Sequence, residues 1–268
     1  LFINNRKDGL DVILNVIEKL PESDEKINFI NRFLINVDDW SFEKLLVLFD
    51  KYFHFNIEDK NRDNFWYYKI LEKIFNYYPN FVFDKLKPII LKCFEEHSFT
   101  INFTNEQSSL IEKINNINPD LCFFYFHSIF DEIVDNNKYE KGGDIEDSPL
   151  YKNSKFSELF ESDIKENADD IIENLLIKYI KSKSKHKLFF KNYYEKHKDS
   201  NSISHLKILI LGLTEIPLLY KEEVFEFIKI IHSKNGFNGY DDKFQLYLRE
   251  LISKSFSIFS ESQKLELA

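Results

Sequence analysis

Three stretches of the sequence share one pattern at a spacing of about forty residues: Trp40–Leu45 (WSFEKL), Phe81–Leu86 (FVFDKL) and Leu121–Phe126 (LCFFYF). The first two match closely in apolar and charged character, and the third keeps the apolar positions. A period of this length is typical of helical repeats, in which each helix pair buries its apolar face only against the next pair. The repeat therefore predicts an all-α chain of stacked antiparallel helix pairs that form a superhelix.

Proline marks the start of two of these helices, at Pro79 and Pro119, each followed by a polar and then an apolar residue. Proline is tolerated at the first helical position because its missing N–H would have no intrahelical partner there. Apolar residues elsewhere recur every three or four positions, which indicates amphipathic helices. In the first half, such helices are expected at 8–20, 62–78 and 120–135. Another is expected to start at Pro79, with a kink or break at Pro88. Three more are expected to follow N-caps, at Ser23 or Asp24, at Ser41, and at Thr104 or Asn105. In the second half they are expected at 162–181, 185–197, 202–213, 218–232 and 241–256.

The forty-residue repeat is no longer recognisable in the sequence after residue 135. Residues 136–160 contain Gly142, Gly143 and Pro149 without a sustained apolar period, which predicts an acidic loop or insertion. The expected organisation is thus a helical stack over 1–135, the insertion over 136–160, and a second stack over 161–268. The chain contains no Met, and Ser260–Gln263 has the pattern of a capping box that opens one more helix. Both features predict a segment of a longer protein, with the second stack truncated.

Composition excludes several classes of protein. Six Gly and six Pro are few for an all-β chain or an α/β enzyme, which need residues with positive or fixed φ in tight turns and phosphate loops. A formal net charge of −9 argues against a chain that coats nucleic acid over its whole surface. We expect a cytoplasmic protein with no membrane partner, because the sequence has neither a signal peptide nor an apolar run long enough to span a bilayer. Cys93 and Cys122 both lie in apolar runs of the sequence. This position suits two buried free thiols, or a single disulfide between them.

One segment departs from the acidic balance. Residues 178–198 contain eight Lys, two His and a single acid, Glu195, with aromatic residues between them. Lysines pair with phosphates and aromatic rings stack on bases, so this composition suits nucleic-acid binding. A solvated helix face is the alternative. On a helix, Lys187, Lys191 and Tyr194 share one side, while Phe189, Phe190 and Tyr193 face inward. The candidate binding residues are Lys181, Lys183, Lys185, Lys187, Lys191, Tyr194 and Lys198.

The acidic counterpart is residues 140–170, with ten acids against four lysines. It could fold against the basic segment, bind a partner's basic surface, or remain a solvated insertion. No motif indicates catalysis: the seven histidines show no metal-ligand spacing, no Gly-x-Ser-x-Gly occurs, and Gly142-Gly143 is not followed by Gly-Lys-Ser/Thr. The sequence therefore predicts no cofactor, no metal site and no small-molecule substrate.

The alternation of a helix, a Pro-polar start and a second apolar helix resembles HEAT-like and TPR-like α-solenoids, best over Lys26–Asp135. HEAT-like is the closer resemblance, because the small residues of the TPR pattern are missing. The start at Ser260–Gln263 after a preceding helix also resembles the linkages in the C-terminal helical arrays of large STAND-type NTPases, including bacterial antiviral sensors. That resemblance implies an array that recognises a target, with nucleotide binding in a separate domain.

Three hypotheses follow. The leading one is a non-catalytic scaffold that recognises a protein partner, as part of a larger protein of antiviral defense. The second is a nucleic-acid-binding repeat module that uses the basic segment. The third is an unrecognised all-helical enzyme, which a deep pocket with converging buried carboxylates or histidines would reveal.

Overall fold

The computed structural model describes residues 7–55, 63–95, 105–136, 148–151, 168–238 and 242–267. Within these ranges the chain forms thirteen α-helices, two short 3₁₀ helices and no strand, so the predicted all-α class is confirmed. The α-helices are α1 (Lys7–Lys19), α2 (Asp24–Asn36), α3 (Glu43–Tyr52), α4 (Asp63–Phe75), α5 (Pro79–Glu95), α6 (Asn105–Ile117), α7 (Pro119–Asn136), α8 (Ala168–Lys183), α9 (Lys187–His197), α10 (Ile203–Glu215), α11 (Lys221–Ser233), α12 (Asp242–Ser255) and α13 (Glu261–Leu267). The 3₁₀ helices are Gly236–Asn238 and Phe256–Ile258.

Most of the predicted helix starts are confirmed. Pro79 and Pro119 are the first residues of α5 and α7. The Ser23 side chain caps α2 by accepting the backbone N–H of Lys26 at 3.2 Å. The prediction for Ser41 is wrong: α3 starts at Glu43, its N-cap residue is Phe42, and no side chain caps it.

The capping box at the last helix is also confirmed. The Ser260 hydroxyl accepts the backbone N–H of Gln263 at 3.2 Å, and the Gln263 side-chain oxygen accepts the backbone N–H of Ser260 at 3.0 Å. This reciprocal pair satisfies two donors that the helix start would otherwise leave without partners. α13 therefore begins where the sequence pattern places it.

The helical register agrees between two of the three repeat stretches. Phe81 and Leu121 are both the third residue of a helix that a proline opens. Trp40, the corresponding residue of the first stretch, lies before α3. The last position of each stretch (Leu45, Leu86 and Phe126) is buried in all three. The shared pattern thus reports common core positions, with a common helix start only in α5 and α7.

The chain divides into two compact units. One comprises Leu1–Ile89 and Phe103–Asn118, and the other comprises Ile90–Asn102 and Pro119–Ala268. The division differs from the predicted one at residue 135, because α7 belongs to the second unit. There the Phe123 ring of α7 stacks on the Tyr179 ring of α8 at 4.0 Å between centroids. α5 is a single helix through Pro88, so the local break allowed for there does not occur.

Aromatic packing forms the core of the first unit. Phe49 of α3 stacks on Phe53 at 5.6 Å, and Tyr67 of α4 packs against the Phe49 ring at 5.4 Å. Trp40 meets the same ring edge-on at 6.2 Å and is completely buried. On the surface of this unit, an ion pair of Lys44 with Asp11 links α3 to α1 at 3.3 Å. Packed aromatic rings therefore make up much of this core.

The second unit is built around α10, whose residues from Ile203 to Thr214 are all buried. α10 packs against α8, α9 and α12. A helix that is apolar on every side is expected to be surrounded in this way. Gly212 allows the close approach, because a Cβ at that position would lie 2.3 Å from Cε2 of Phe190 and 2.7 Å from Cγ2 of Ile180.

A short part of the predicted insertion is described, residues 148–151. The Ser148 hydroxyl donates to the Lys234 carbonyl at 2.8 Å, and Tyr151 forms one parallel β-bridge with Ser202 at the start of α10. This part is therefore fixed to the second unit. The remainder of 136–160 beyond Asn136, and most of the acidic segment 140–170, lie outside the described residues.

Cys122 is a free, buried thiol, and burial raises its pKa to about 12. The side chain of Cys93 lies outside the described residues. None of the helices in the described ranges is both long and apolar enough to cross a bilayer. The cytoplasmic location stays a prediction.

Candidate functional site

The basic segment runs from the end of α8 through α9, and most of its candidate residues form ion pairs within the second unit. The pairs are Lys181 with Glu215 at 3.5 Å, Lys183 with Asp120 at 2.7 Å, Lys191 with Glu223, and Lys198 with both Glu195 at 2.9 Å and Glu226 at 2.8 Å. Lys185 and Lys187 are exposed, and no ion pair is found for either among the described residues. Internal acids therefore balance much of the positive charge that the sequence placed on this segment.

Lys191 and Tyr194 both face α11, but Tyr194 does not reach the protein surface. Its side chain is fully buried, and its hydroxyl donates to Glu226 and to the Glu223 carbonyl of α11, both at 2.9 Å. A phenol that is apolar along its ring and polar at its tip favours such a position between two helices. The inward placement of Phe190 and Tyr193 is confirmed.

Two of the five acids that pair with these candidate lysines, Glu223 and Glu226, come from α11, and the described residues show no role for 140–170 in this packing. Between α9 and α11 lies a groove of about 640 Å³. Its lining residues are Glu195, Glu222, Glu223, Phe225, Glu226, Lys229, Ile230 and Ser233. Because Lys191 and Lys198 already pair with three of these glutamates, the groove carries less free negative charge than its composition suggests.

A cluster that the sequence did not predict lies on the other side of α9. It comprises His127 and Asp131 of α7, His197 of α9 and His205 of α10. Nδ1 of His127 lies 3.1 Å from Oδ1 of Asp131, and Nε2 of His205 lies 2.7 Å from the same oxygen. The His197 ring stacks on the His205 ring at 5.3 Å with 14° between their planes. All three imidazoles are buried.

Tyr193 extends the cluster, since its hydroxyl lies 3.1 Å from Nε2 of His127. A carboxylate that accepts the Nδ1–H of an imidazole fixes the tautomer whose Nε2 accepts a proton. Asp131, His127 and Tyr193 thus form a carboxylate–imidazole–hydroxyl chain. Such a chain can hold a proton at the hydroxyl oxygen or move it toward the imidazole.

The environment sets the ionisation of two members of the cluster. Burial opposes ionisation of Asp131, but hydrogen bonds from His127 and His205 outweigh it and hold the pKa of that carboxyl well below its usual range. Burial, together with the neighbouring His127 and His205, lowers the pKa of His197 to about 3. At neutral pH Asp131 is therefore ionised and His197 is neutral.

The cluster opens onto a cavity of about 360 Å³ between α7 and α9. Its lining residues are Phe123, Phe124, His127, Ser128, Asp131, Phe189, Asn192, Tyr193, Lys196 and His197. Within the described ranges, no group of three or more His, Cys, Asp or Glu residues is arranged to hold a metal ion. The cluster therefore offers hydrogen bonds and proton transfer, and its donors do not converge on a metal position.

Sequence reasoning missed this site because its residues are far apart in the chain: the contacts of His127 with Tyr193 and of Asp131 with His205 span 66 and 74 residues. One local signal was present, since His127 and Asp131 are four residues apart on a single helix face. Buried histidines and a carboxylate around a cavity are nevertheless the feature that the third hypothesis, an all-helical enzyme, predicts.

Comparison with protein-family models, curated proteins and solved structures finds no match to this chain.

Proposed function

We propose that this chain is a non-catalytic helical-repeat scaffold that binds a protein partner through an exposed apolar face of α1. In this proposal its helix pairs continue the HEAT-like stacking pattern of the sequence. The partner presents an apolar surface, such as one face of an amphipathic helix.

The observation that carries the proposal is that α1 has two apolar faces. Leu10, Leu14 and Ile17 are buried against the first unit. Val12 and Val16 lie on the opposite side of the helix and are 61% and 48% exposed. Surface helices normally expose a polar face, so a second apolar stripe at helical spacing favours coverage by another molecule.

The stripe continues beyond the last residue of α1. Leu20, 37% exposed, prolongs the four-residue spacing, and its backbone N–H bonds to the Val16 carbonyl at 3.2 Å, so it follows the same helical turn. Three apolar side chains on successive turns present a row of contacts of the kind that helix-in-groove recognition uses. A single exposed valine would carry no such inference.

The resemblance to the helical arrays of STAND-type NTPases supports the same proposal, because those arrays recognise a target while a separate nucleotide-binding domain switches state. On this proposal the chain acts as the recognition part of such a protein in antiviral defense. The nucleic-acid alternative loses support, since ion pairs occupy Lys181, Lys183, Lys191 and Lys198. The enzyme alternative rests on the histidine cavity alone.

The experiment compares proteins captured by the wild-type chain with those captured by the double variant Val12→Glu and Val16→Glu, in cells that naturally express the protein. Two carboxylates on an apolar contact face remain solvated in the free protein but lose water in a complex, so we expect the specific partner to be lost. Circular dichroism and melting temperature should change little, because both side chains are exposed.

The matched control is Leu246→Glu, which changes a 60% exposed apolar residue of α12. It should keep the partner. Retention of the same partner by the double variant, or its loss from the control as well, would contradict the proposal. Sedimentation of the purified chain shows whether it self-associates. If it does, the partner at this face would be a second copy of the chain and not another protein.

A further inference from the structure

Aromatic rings line part of the cavity between α7 and α9. Phe124 of α7 and Phe189 of α9 lie 6.5 Å apart between ring centroids, and both contribute to the lining. Phe124 is 58% exposed and Phe189 is half-buried, so a molecule from solvent can reach both rings. The faces of such rings attract apolar groups and, through their negative quadrupole, cations.

The carboxylate of Asp131 is the second component of the lining. Its Oδ1 accepts hydrogen bonds from the buried rings of His127, at 3.1 Å, and His205, at 2.7 Å. The Asp131 side chain is nevertheless 33% exposed, and because the two histidines enclose Oδ1, that exposure lies on the side of Oδ2. The same hydrogen bonds hold the pKa of the carboxyl well below its usual range. The cavity therefore presents an ionised oxygen that a molecule from solvent can reach.

Only a loose contact occupies Oδ2 of Asp131. Among the described residues, the partner found for this oxygen is Lys196, whose Nζ lies 4.0 Å away, beyond hydrogen-bond distance. The Lys196 side chain is 66% exposed, and exposed ion pairs contribute little to stability, so it can turn into solvent at small cost. An ammonium group bound directly to Oδ2 would form a shorter, charge-assisted hydrogen bond. Lys196 thus marks a position that suits a positive charge and that a ligand can take over.

The size and the charge of the cavity limit the ligand further. Ligand sites usually measure about 300–1,000 Å³, and this cavity of about 360 Å³ lies near the lower end, with room for an ammonium group joined to one ring or a short apolar chain. An anion would meet the Asp131 carboxylate, and a neutral molecule could not replace the charge of Lys196. We propose that this cavity binds a small organic amine, whose ammonium group pairs with Oδ2 of Asp131 in place of Lys196 and whose apolar part lies against Phe124 and Phe189.

The proposal is independent of partner binding through α1, since every residue that contacts the amine belongs to α7 or α9. All four of these side chains are exposed or half-buried, namely Phe124, Asp131, Phe189 and Lys196. The buried histidines act behind the carboxylate. They orient it and keep it ionised without touching the ligand.

The test titrates the intact, uniformly ¹⁵N-labelled chain with phenethylamine, 2-phenylethanol and 3-phenylpropionate, followed by NMR. These probes have similar shapes and carry a positive, a neutral and a negative group on the same ring. We expect saturable binding of phenethylamine, with the largest shifts in the backbone amide signals of α7 and α9. The affinity for 2-phenylethanol should be about tenfold lower or less still, and 3-phenylpropionate should not bind.

The variants separate the charge from the fold. Lys196→Gln removes the competing cation, so we expect phenethylamine to bind about threefold more tightly. Lys187→Gln is the matched control, because it removes an exposed lysine of α9 that does not line the cavity, and it should leave the affinity unchanged. Asp131→Asn should weaken binding by about tenfold or more, and Phe124→Ala by about threefold.

A lysine side chain of another protein carries the same ammonium group as a free amine. Acetyl-Gly-Lys-Gly-amide is therefore titrated beside phenethylamine, and it should bind more weakly because it lacks the ring. Tighter binding of the peptide than of phenethylamine would overturn the proposal and assign the cavity to a lysine of a partner protein.

The proposal is overturned if phenethylamine shows no saturable binding. Equal affinities for phenethylamine and 2-phenylethanol would equally overturn it, because the carboxylate would then have no role. An unchanged affinity of Lys196→Gln, or an equal gain in Lys187→Gln, would contradict the displacement of Lys196. If Asp131→Asn does not fold, Lys196→Gln and the comparison with 2-phenylethanol still decide the question.

Discussion

The imidazole of His197 couples the histidine cluster to the stability of the second unit. Its pKa is lowered from an ordinary value near 6.5 to about 3 by burial and by His127 and His205. The unfolded chain therefore takes up a proton below about pH 6.5, whereas the folded chain does so only near pH 3. Stability contributed by the neutral ring is present above pH 6.5 and is lost as the pH falls through this window.

The corresponding prediction concerns the free energy of unfolding between pH 7 and pH 5. A single group in this window changes stability by up to about 1.4 kcal/mol per pH unit, so His197 accounts for a fall of about 2 kcal/mol. In His197→Phe that part should disappear, as urea unfolding at the two pH values would show. Protonation of the Asp131 carboxyl affects the free energy of unfolding only at lower pH, because its pKa lies well below its usual range. The exposed His54→Phe variant is the control, and an identical pH dependence of His197→Phe and wild type would refute the assignment.

Gly212 is a residue where local propensity and packing disagree. Alanine is favoured over glycine by about 1 kcal/mol in a helix interior. At Gly212, however, the added Cβ would overlap the Phe190 and Ile180 side chains. Overpacking a core costs about 1–3 kcal/mol, so we expect Gly212→Ala to destabilise the chain by about 1–2 kcal/mol in urea unfolding.

A double variant, Gly212→Ala with Phe190→Leu, tests that explanation. If the clash with Phe190 is the cause, the double variant should be more stable than the sum of the two single changes implies. Simple additivity would contradict the packing argument, and stabilisation by Gly212→Ala alone would show that helix propensity dominates.

At the scale of the helices, the contact of α9 with α11 depends on Tyr194. Its buried hydroxyl bonds to Glu226 and to the Glu223 carbonyl. Loss of a buried hydrogen bond to a charged group costs about 1–3 kcal/mol, so Tyr194→Phe should lower the free energy of unfolding by that order. Thermal or urea unfolding would measure it.

Tyr52→Phe is the matched control for this change. Its hydroxyl donates to Glu22 at 2.9 Å on the exposed surface, where such a bond contributes little. We expect less than about 0.5 kcal/mol from it. Equal effects of the two substitutions would contradict the structural role of Tyr194.

Helix positions were the most predictable feature, because apolar spacing, proline and capping residues are local signals. The Pro79 and Pro119 starts and the Ser260–Gln263 capping box follow from neighbouring residues alone. Ser41 failed as a cap because α3 starts later, at Glu43, after Asp39 accepts the Ser41 backbone N–H at 3.0 Å. A side chain such as that of Asp39 can bond to a nearby backbone N–H in a turn and so favour a non-helical conformation over a helix start. The sequence alone does not show which of the two conformations forms.

At the scale of the whole chain, sequence predicted the helical class but not the histidine cluster. α7 has the sequence pattern of the first repeats, yet its rings pack on α8 and α9. Likewise, the ion pairs of the basic segment with α11 depend on tertiary placement, which a count of lysines does not contain. Contacts between distant residues were therefore the part that required the structure.

We propose that the exposed face of α1 contacts a protein partner. The most direct measurement places the photo-cross-linking residue p-benzoylphenylalanine at Val16, with a second version at Leu246 of α12, in cells that naturally express the protein. We predict one abundant protein cross-linked from Val16 and absent from the Leu246 version. No protein cross-linked from Val16, or the same proteins cross-linked from both positions, would contradict the claim.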